Sequence, residues 1–99
     1  MKFIWNQPLK QNLKVFLNRL GYHEHLDRRA KEGSFVRRLG SGQYPRLHLY
    51  VELDDRRVIF KLHLDEKKAS YAGINRHSGQ YEGKILEDEM HRIINSLRD

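Results

Sequence analysis

Cysteine is absent from this 99-residue chain, which excludes a disulfide framework and any chemistry that needs a thiolate. A metal site would therefore rest on histidine, aspartate and glutamate. No apolar run approaches the roughly 18 residues of a membrane-spanning helix, and Phe3-Ile4-Trp5 is too short for the apolar region of a signal peptide. These absences predict a soluble cytoplasmic protein that has no membrane partner.

A phosphate-binding loop is also missing, because Gly40-Ser41-Gly42 is followed by neither Lys-Ser nor Lys-Thr. What the chain has is basic charge, with 19 Lys and Arg against 13 Asp and Glu. Residues 1–50 carry ten basic and three acidic residues, whereas residues 51–99 carry nine and ten. Such uneven charge favours a polyanionic partner, because Lys and Arg release counterions from phosphates. The alternative is that the charge only keeps a small protein soluble.

The clearest pattern is the alternation of apolar and polar residues from Leu47 to Leu64, on both sides of Asp54-Asp55-Arg56-Arg57. A slip of one residue would turn every apolar side chain to the wrong face, so the pattern predicts the register of a hairpin. The predicted apolar pairs are Leu47–Leu64, Leu49–Leu62, Val51–Phe60 and Leu53–Val58, and the reverse face pairs Arg46–Asp65, His48–His63 and Tyr50–Lys61.

Two amphipathic helices and one further strand complete the predicted fold. Apolar residues recur at helical spacing from about Gln7 to Leu20 and from about Lys84 to Leu97, and a strand is expected at about Ser34 to Leu39. Flexible loops are expected at about 21–33 and 66–83. The chain is therefore predicted to be one α+β domain over residues 1–99, a two-layer sandwich in α-β-β-β-α order with a three-stranded antiparallel sheet packed on two helices.

His48 and His63 are the main candidates for catalysis or metal binding. Directly opposite residues on paired strands hold their Cβ atoms about 4.5 to 5.5 Å apart, so the two imidazoles could act as acid and base or share a metal. His77 is a third candidate, and Asp65 or Glu52 could add a ligand. A pair of surface residues is the alternative, and His23 and His25 are interpreted as parts of a solvated loop.

A second set of residues suits contact with nucleic acid. Basic side chains would meet phosphates and an aromatic ring would stack on a base, and the alternative is a solvated loop. We expect no cofactor and a nucleic-acid partner, with RNA favoured over DNA. The candidate binding residues are Lys10, Lys14, Arg37, Arg38, Lys67, Lys68, Tyr71 and Arg76.

The predicted order of elements resembles that of the double-stranded RNA-binding domain and of small messenger-RNA-cleaving toxins. In the RNA-binding domain a Lys-Lys pair opens the second helix and grips phosphates, and Lys67-Lys68-Ala69 looks similar, although the glycines that follow delay the helix here. In the toxins a Gly-Ser-His supplies the catalytic histidine. This chain has Gly33-Ser34-Phe35, so the resemblance does not carry that activity over.

Three further segments resemble those of small bacterial proteins to which no activity is assigned. They are Tyr44-Pro45-Arg46-Leu47-His48, His63-Leu64-Asp65-Glu66-Lys67-Lys68 and His77-Ser78-Gly79-Gln80-Tyr81-Glu82-Gly83. The leading hypothesis is a small basic module that contacts RNA mainly through phosphates. The alternatives are a histidine-centred phosphodiesterase or metal-binding enzyme that uses His48 and His63, and an interaction module that pairs with itself or another protein through an exposed sheet edge.

Overall fold

A computed structural model of the chain describes residues 1–26, 33–66 and 78–99. In these ranges five strands and two helices follow one another, and neither helix is long and apolar enough to cross a membrane. The elements are β1 Lys2–Trp5, α1 Leu13–Arg19, β2 His23–Glu24, β3 Gly33–Arg38, β4 Arg46–Asp54, β5 Arg57–Asp65 and α2 Ser78–Arg98.

The strands form one antiparallel sheet in the order β1-β5-β4-β3-β2. The prediction of a three-stranded sheet is therefore wrong, although the fold is of the α+β type. The predicted strands are the three central ones, and a short strand is added at each edge. Edge strands of two and four residues are too short to show a period of two, which is why the pattern did not reveal them.

The β4–β5 hairpin has the predicted register throughout. Leu47 pairs with Leu64, His48 with His63, and the remaining predicted pairs follow. Asp55 has φ 54°, a left-handed conformation that a short polar side chain tolerates in a tight turn. The alternation of the sequence is thus sufficient to place every side chain of this hairpin on its face.

β1 lies beside β5 and contributes to both faces of the sheet. Phe3 pairs with Phe60 and Trp5 pairs with Val58, and both rings pack against the hydrophobic core. Ile4 pairs with Ile59 on the opposite face. Three consecutive apolar residues therefore form a strand here because each face offers an apolar neighbour.

α1 is shorter than predicted and starts at Leu13 rather than near Gln7. The Asn12 side chain accepts hydrogen bonds from the backbone N–H groups of Lys14 and Val15, at 2.9 and 3.3 Å, and so caps the helix. Leu9 still packs against the core from outside the helix. Leu9 has helical spacing from Leu13 in the sequence, but it does not belong to the helix.

α2 begins at Ser78, six residues before the predicted start at Lys84, and ends at Arg98. Its predicted apolar stripe is confirmed, since Met90, Ile93 and Leu97 are buried. Together with Phe16 and Leu17 of α1 they cover one face of the sheet. We call the other face, turned away from both helices, the outer face.

A buried polar cluster ties α2 to the β2–β3 edge of the sheet. The hydroxyl of Tyr22 donates to Glu89 Oε2 at 2.6 Å, and Arg92 donates to both Glu89 oxygens at 2.7 and 2.9 Å. Arg92 also donates to the carbonyl of Leu20 at 2.6 Å, and Arg37 lies 3.5 Å from Glu89. Burial raises the pKa of Tyr22 far above its ordinary value, so its hydroxyl keeps the proton that it donates.

Candidate functional site on the outer face

The outer face of the sheet carries the histidine pair that the sequence singled out, together with other polar and ionisable side chains. Because alternate residues of a strand share a face, the register places three rows of side chains side by side. The rows are Arg38–Arg46–Asp65, then His23–Val36–His48–His63, then Ser34–Tyr50–Lys61, with His25 next to Ser34.

His48 lies at the centre of this face with both ring nitrogens hydrogen bonded. Its Nε2 is 2.6 Å from Ser34 Oγ, and its Nδ1 is 3.0 Å from Asp65 Oδ2. The residues come from three adjacent strands, and the exposed fractions of His48 and Ser34 are only 6% and 4%. In the tautomer that carries its proton on Nδ1, the ring donates to the Asp65 carboxylate and accepts at Nε2 from the serine hydroxyl.

Aromatic rings hold the His48 imidazole in this orientation. Tyr50 stacks on it, with centroids 4.3 Å apart and planes inclined by 25°. His25 approaches edge-on at 5.7 Å, and Tyr50 in turn meets the ring of His63 edge-on at 5.7 Å. The plane of His48 is thus fixed by packing as well as by its two hydrogen bonds.

His63 is directly opposite His48 and differs from it electrostatically. Partial burial lowers the pKa of His63, and so do its electrostatic interactions with the amino terminus, His48 and Lys61, while Asp65 acts in the opposite direction. The Met1 amino group donates to the carbonyl of Leu62 at 2.9 Å, which puts a positive charge beside the ring. His63 is therefore expected to be neutral near pH 7.

The metal hypothesis finds little support in the described part of the chain. Within residues 1–26, 33–66 and 78–99 no three His, Asp or Glu side chains are grouped as metal ligands require. A metal on His48 would have to displace either Ser34 or Asp65, because both nitrogens already have partners. His77, the third histidine candidate, lies outside the described residues.

A groove of about 590 Å³ borders the His48 network on the β2–β3 side. Its charged and titratable lining residues are Arg38, Arg46, His23, His25 and Glu24, and Glu24 pairs with Lys14 at 3.1 Å. Arg46 also contacts Asp65, with Nε 3.4 Å from Oδ2. The groove therefore concentrates cationic and titratable side chains at one end of the outer face.

The predicted nucleic-acid residues are distributed over different surfaces. Adjacent residues of a strand point to opposite faces, so Arg37 reaches the buried carboxylate of Glu89 while Arg38 lines the groove. Lys14 lies 3.1 Å from Glu24, and Lys10 lines a small cavity of about 30 Å³ between Trp5 and Leu97. The structure brings Arg38 to the outer face and leaves the two lysines near the helices. Lys67, Lys68, Tyr71 and Arg76 lie outside the described residues.

Sequence reasoning considered Asp65 as the cross-strand partner of Arg46 and as a metal ligand, but not as a partner of His48, and it missed Ser34 and His25 as members of the site. The hairpin register alone places Asp65 diagonally from His48, so this neighbour could have been found. Ser34 required the register between β3 and β4, which the sequence left open because Phe35, Arg37 and Leu39 do not form an unambiguous apolar face.

Comparison of the chain with protein-family models, curated proteins and solved structures finds no match. No function can therefore be transferred to it from a relative. Since a fold by itself does not imply an activity, the function has to be argued from the chemistry of the outer face.

Proposed function

We propose that the protein is a small binding module for nucleic acid, with RNA favoured, and that it holds phosphates in the groove of the outer face. The observation that carries the proposal is the convergence of Arg38, Arg46, His23 and His25 on one groove. Guanidinium groups match phosphate geometry through paired N–H donors.

The placement of Arg38 beside Arg46 supports an anionic ligand. The two residues are direct partners across β3 and β4, and like charges at such a position are destabilising in the absence of an anion. Asp65 offsets the charge of Arg46, whereas no carboxylate is paired with Arg38 among the residues that the structure describes. A bound phosphate would neutralise this excess charge.

The size of the groove and a nearby ring favour a single strand over a duplex. Its volume is within the range of sites for small ligands, which suits one or two nucleotides rather than a double helix. Tyr44 is 39% exposed, and its ring lies 4.7 Å from the guanidinium carbon of Arg46. Single-stranded RNA offers unstacked bases for such a ring as well as phosphates for the arginines.

The test is a fluorescence-anisotropy titration with labelled single-stranded RNA, duplex RNA and duplex DNA at about 50 and 200 mM salt. We expect single-stranded RNA to bind most tightly and the affinity to fall steeply with salt. Arg38→Gln should weaken binding and reduce the salt slope by about one. Arg56→Gln removes the same charge from the exposed turn at the far end of the hairpin and should change neither quantity.

Two results contradict the proposal. One is the absence of binding to all three ligands at about 50 mM salt, where phosphate contacts are strongest. The other is an equal loss of affinity in Arg38→Gln and Arg56→Gln, which would show that net charge alone, and not the groove, attracts the ligand.

A further inference from the structure

We infer that Ser34 is an activated nucleophile and that the outer face hydrolyses phosphodiesters. Ser34 Oγ, His48 and Asp65 form a continuous hydrogen-bonded chain, with Nε2 toward the serine and Nδ1 toward the carboxylate. This is the arrangement by which a Ser-His-Asp triad activates its hydroxyl, and such triads are recognised by geometry rather than by position in the sequence. The choice of substrate rests on the proposed function, whereas the activation of Ser34 does not.

Each member of the chain has a defined role in moving the proton. Asp65 accepts from Nδ1–H of His48 and so keeps the lone pair of Nε2 directed at the serine. It acts as a positioning residue that also stabilises the imidazolium when it forms. Arg46 Nε lies 3.4 Å from the same carboxylate oxygen. The stacked ring of Tyr50 limits rotation of the imidazole.

The reaction proceeds in two balanced steps. Ser34 Oγ attacks the phosphorus and forms a P–O bond as the bond to one ester oxygen breaks, while His48 takes the serine proton and passes it to the leaving oxygen. The intermediate is a phosphodiester that joins Ser34 to the remaining alcohol group of the substrate. A water molecule then attacks its phosphorus, His48 takes the proton of this water, and Oγ leaves and recovers a proton from His48. The products are an alcohol and a phosphate monoester, and no oxidant or reductant is consumed.

Location favours a phosphate ester as the substrate. The groove that borders His48 is lined by Arg38 and Arg46, whose charges suit the nonbridging oxygens of a phosphodiester. Neighbouring phosphates of the same strand would remain in the groove during the reaction. Phosphate binding in the groove and hydrolysis at Ser34 thus use the same surface but different residues. Variants of those residues can therefore test the two activities separately.

His25 lines the groove and lies next to Ser34. The serine and His48 are almost fully buried, and the half-buried ring of His25 lies edge-on to His48 at the rim of the groove. The backbone N–H of His25 donates to the carbonyl of Ser34 at 2.7 Å, which holds the two residues side by side at the sheet edge. We therefore expect that removal of the His25 ring makes Oγ more accessible from the groove.

Covalent labelling by a fluorophosphonate tests the inference on the intact chain. This probe presents a tetrahedral phosphorus with fluoride as the leaving group, and peptide mass spectrometry locates the adduct. We expect Ser34 to be labelled at least about 100-fold faster than the exposed Ser41, since a positioned base contributes about 10²- to 10⁴-fold. His48→Gln should reduce the rate at Ser34 to that at Ser41, and His25→Ala should increase it.

Labelling that is no faster at Ser34 than at Ser41 in the wild-type protein overturns the inference and leaves the chain of hydrogen bonds with a purely structural role. Because the wild-type protein provides this comparison, the result does not depend on whether a variant folds.

Hydrolysis of bis(4-nitrophenyl) phosphate, followed at the same time as RNA binding, separates the two proposals. We expect Ser34→Ala to lose hydrolysis and to keep its affinity for single-stranded RNA, and Arg38→Gln to weaken RNA binding while Ser34 is still labelled. Labelling of Ser34 without any RNA binding would overturn the assignment of the substrate but support the nucleophile. RNA binding without labelling would overturn the catalytic inference and support the binding module.

Discussion

Replacing Tyr22 with phenylalanine tests the buried cluster that ties α2 to the sheet edge. The change removes one hydroxyl and keeps the ring, which is fully buried. That hydroxyl donates to Glu89 at 2.6 Å, and a hydrogen bond to a charged group contributes about 1.5 to 3 kcal/mol. Glu89 keeps both hydrogen bonds from Arg92 in the variant. We therefore expect a loss of about 2 kcal/mol in the free energy of unfolding at pH 7.

The loss should depend on pH because it depends on the charge of Glu89. Burial alone would raise the pKa of this carboxyl, but the hydrogen bonds from Arg92 and Tyr22 outweigh it and lower the pKa below the ordinary value of 4.5. A lowered pKa in the folded state adds stability above the unfolded value, and this stability is lost as the pH falls through the folded value. The difference in the free energy of unfolding between the wild-type protein and Tyr22→Phe should therefore become smaller below about pH 4.

Urea unfolding followed by circular dichroism at pH 7 and at pH values below 4 measures both quantities. Tyr44→Phe is the matched control, since it removes the same atom from an exposed ring and should change stability by less than about 0.5 kcal/mol. The reasoning is refuted if Tyr22→Phe is as stable as this control at pH 7, or if its deficit is the same at both ends of the pH range.

Three smaller predictions concern backbone, core and charge. Gly21→Ala should lower the free energy of unfolding by about 1 to 2 kcal/mol, because φ is +97° at this position and the new Cβ would lie 3.2 Å from Nε of Arg37. Gly40 has open space around it, so Gly40→Ala should leave thermal unfolding nearly unchanged. Leu62→Ala should lower the free energy of unfolding by about 2 to 5 kcal/mol, as measured by urea unfolding. Leu53→Ala, on the same face but 69% exposed, should lower it by less than about 0.5 kcal/mol. Similar losses in the two variants would contradict the burial argument. Burial and nearby positive charge lower the pKa of His63, so the unfolded state binds the proton more readily than the folded state. The free energy of unfolding should therefore decrease as the pH falls below 6.5. If the His63→Gln variant loses as much stability as the wild-type protein over this pH range, the prediction is wrong.

The parts of the fold that could be predicted are those with a strict period. Leu47 to Leu64 alternates without interruption, and its register is correct at every pair. The sequence does not predict β1, because Ile4 is apolar at a position where strict alternation requires a polar residue. The start of α1 was placed too early since Leu9 imitates a helical position, although Asn12 carried the capping signal.

The candidate site was predictable to the extent that it lies within one hairpin. His48 and His63 were placed correctly as neighbours, and their partners Ser34 and His25 come from strands whose pairing is set by tertiary contacts rather than by local alternation. A site that spans three or four adjacent strands can be predicted only when the register of every strand pair is known. The register between β3 and β4 could not be predicted, and so neither could the proximity of Ser34 to His48.

The position of β1 has a consequence for the order in which the chain folds. Lys2 pairs with Lys61 and Trp5 with Val58, so β1 pairs with a strand that lies far from it in the sequence. Contacts between such distant positions form slowly because a long loop must close first, whereas the β4–β5 hairpin closes locally through a two-residue turn. We therefore expect the hairpin to form early and β1 to dock late. Until β1 docks, one edge of β5 and the aromatic rings of Phe3 and Trp5 stay accessible to other chains, which makes this edge the place where a nascent or partly unfolded molecule is most prone to aggregate.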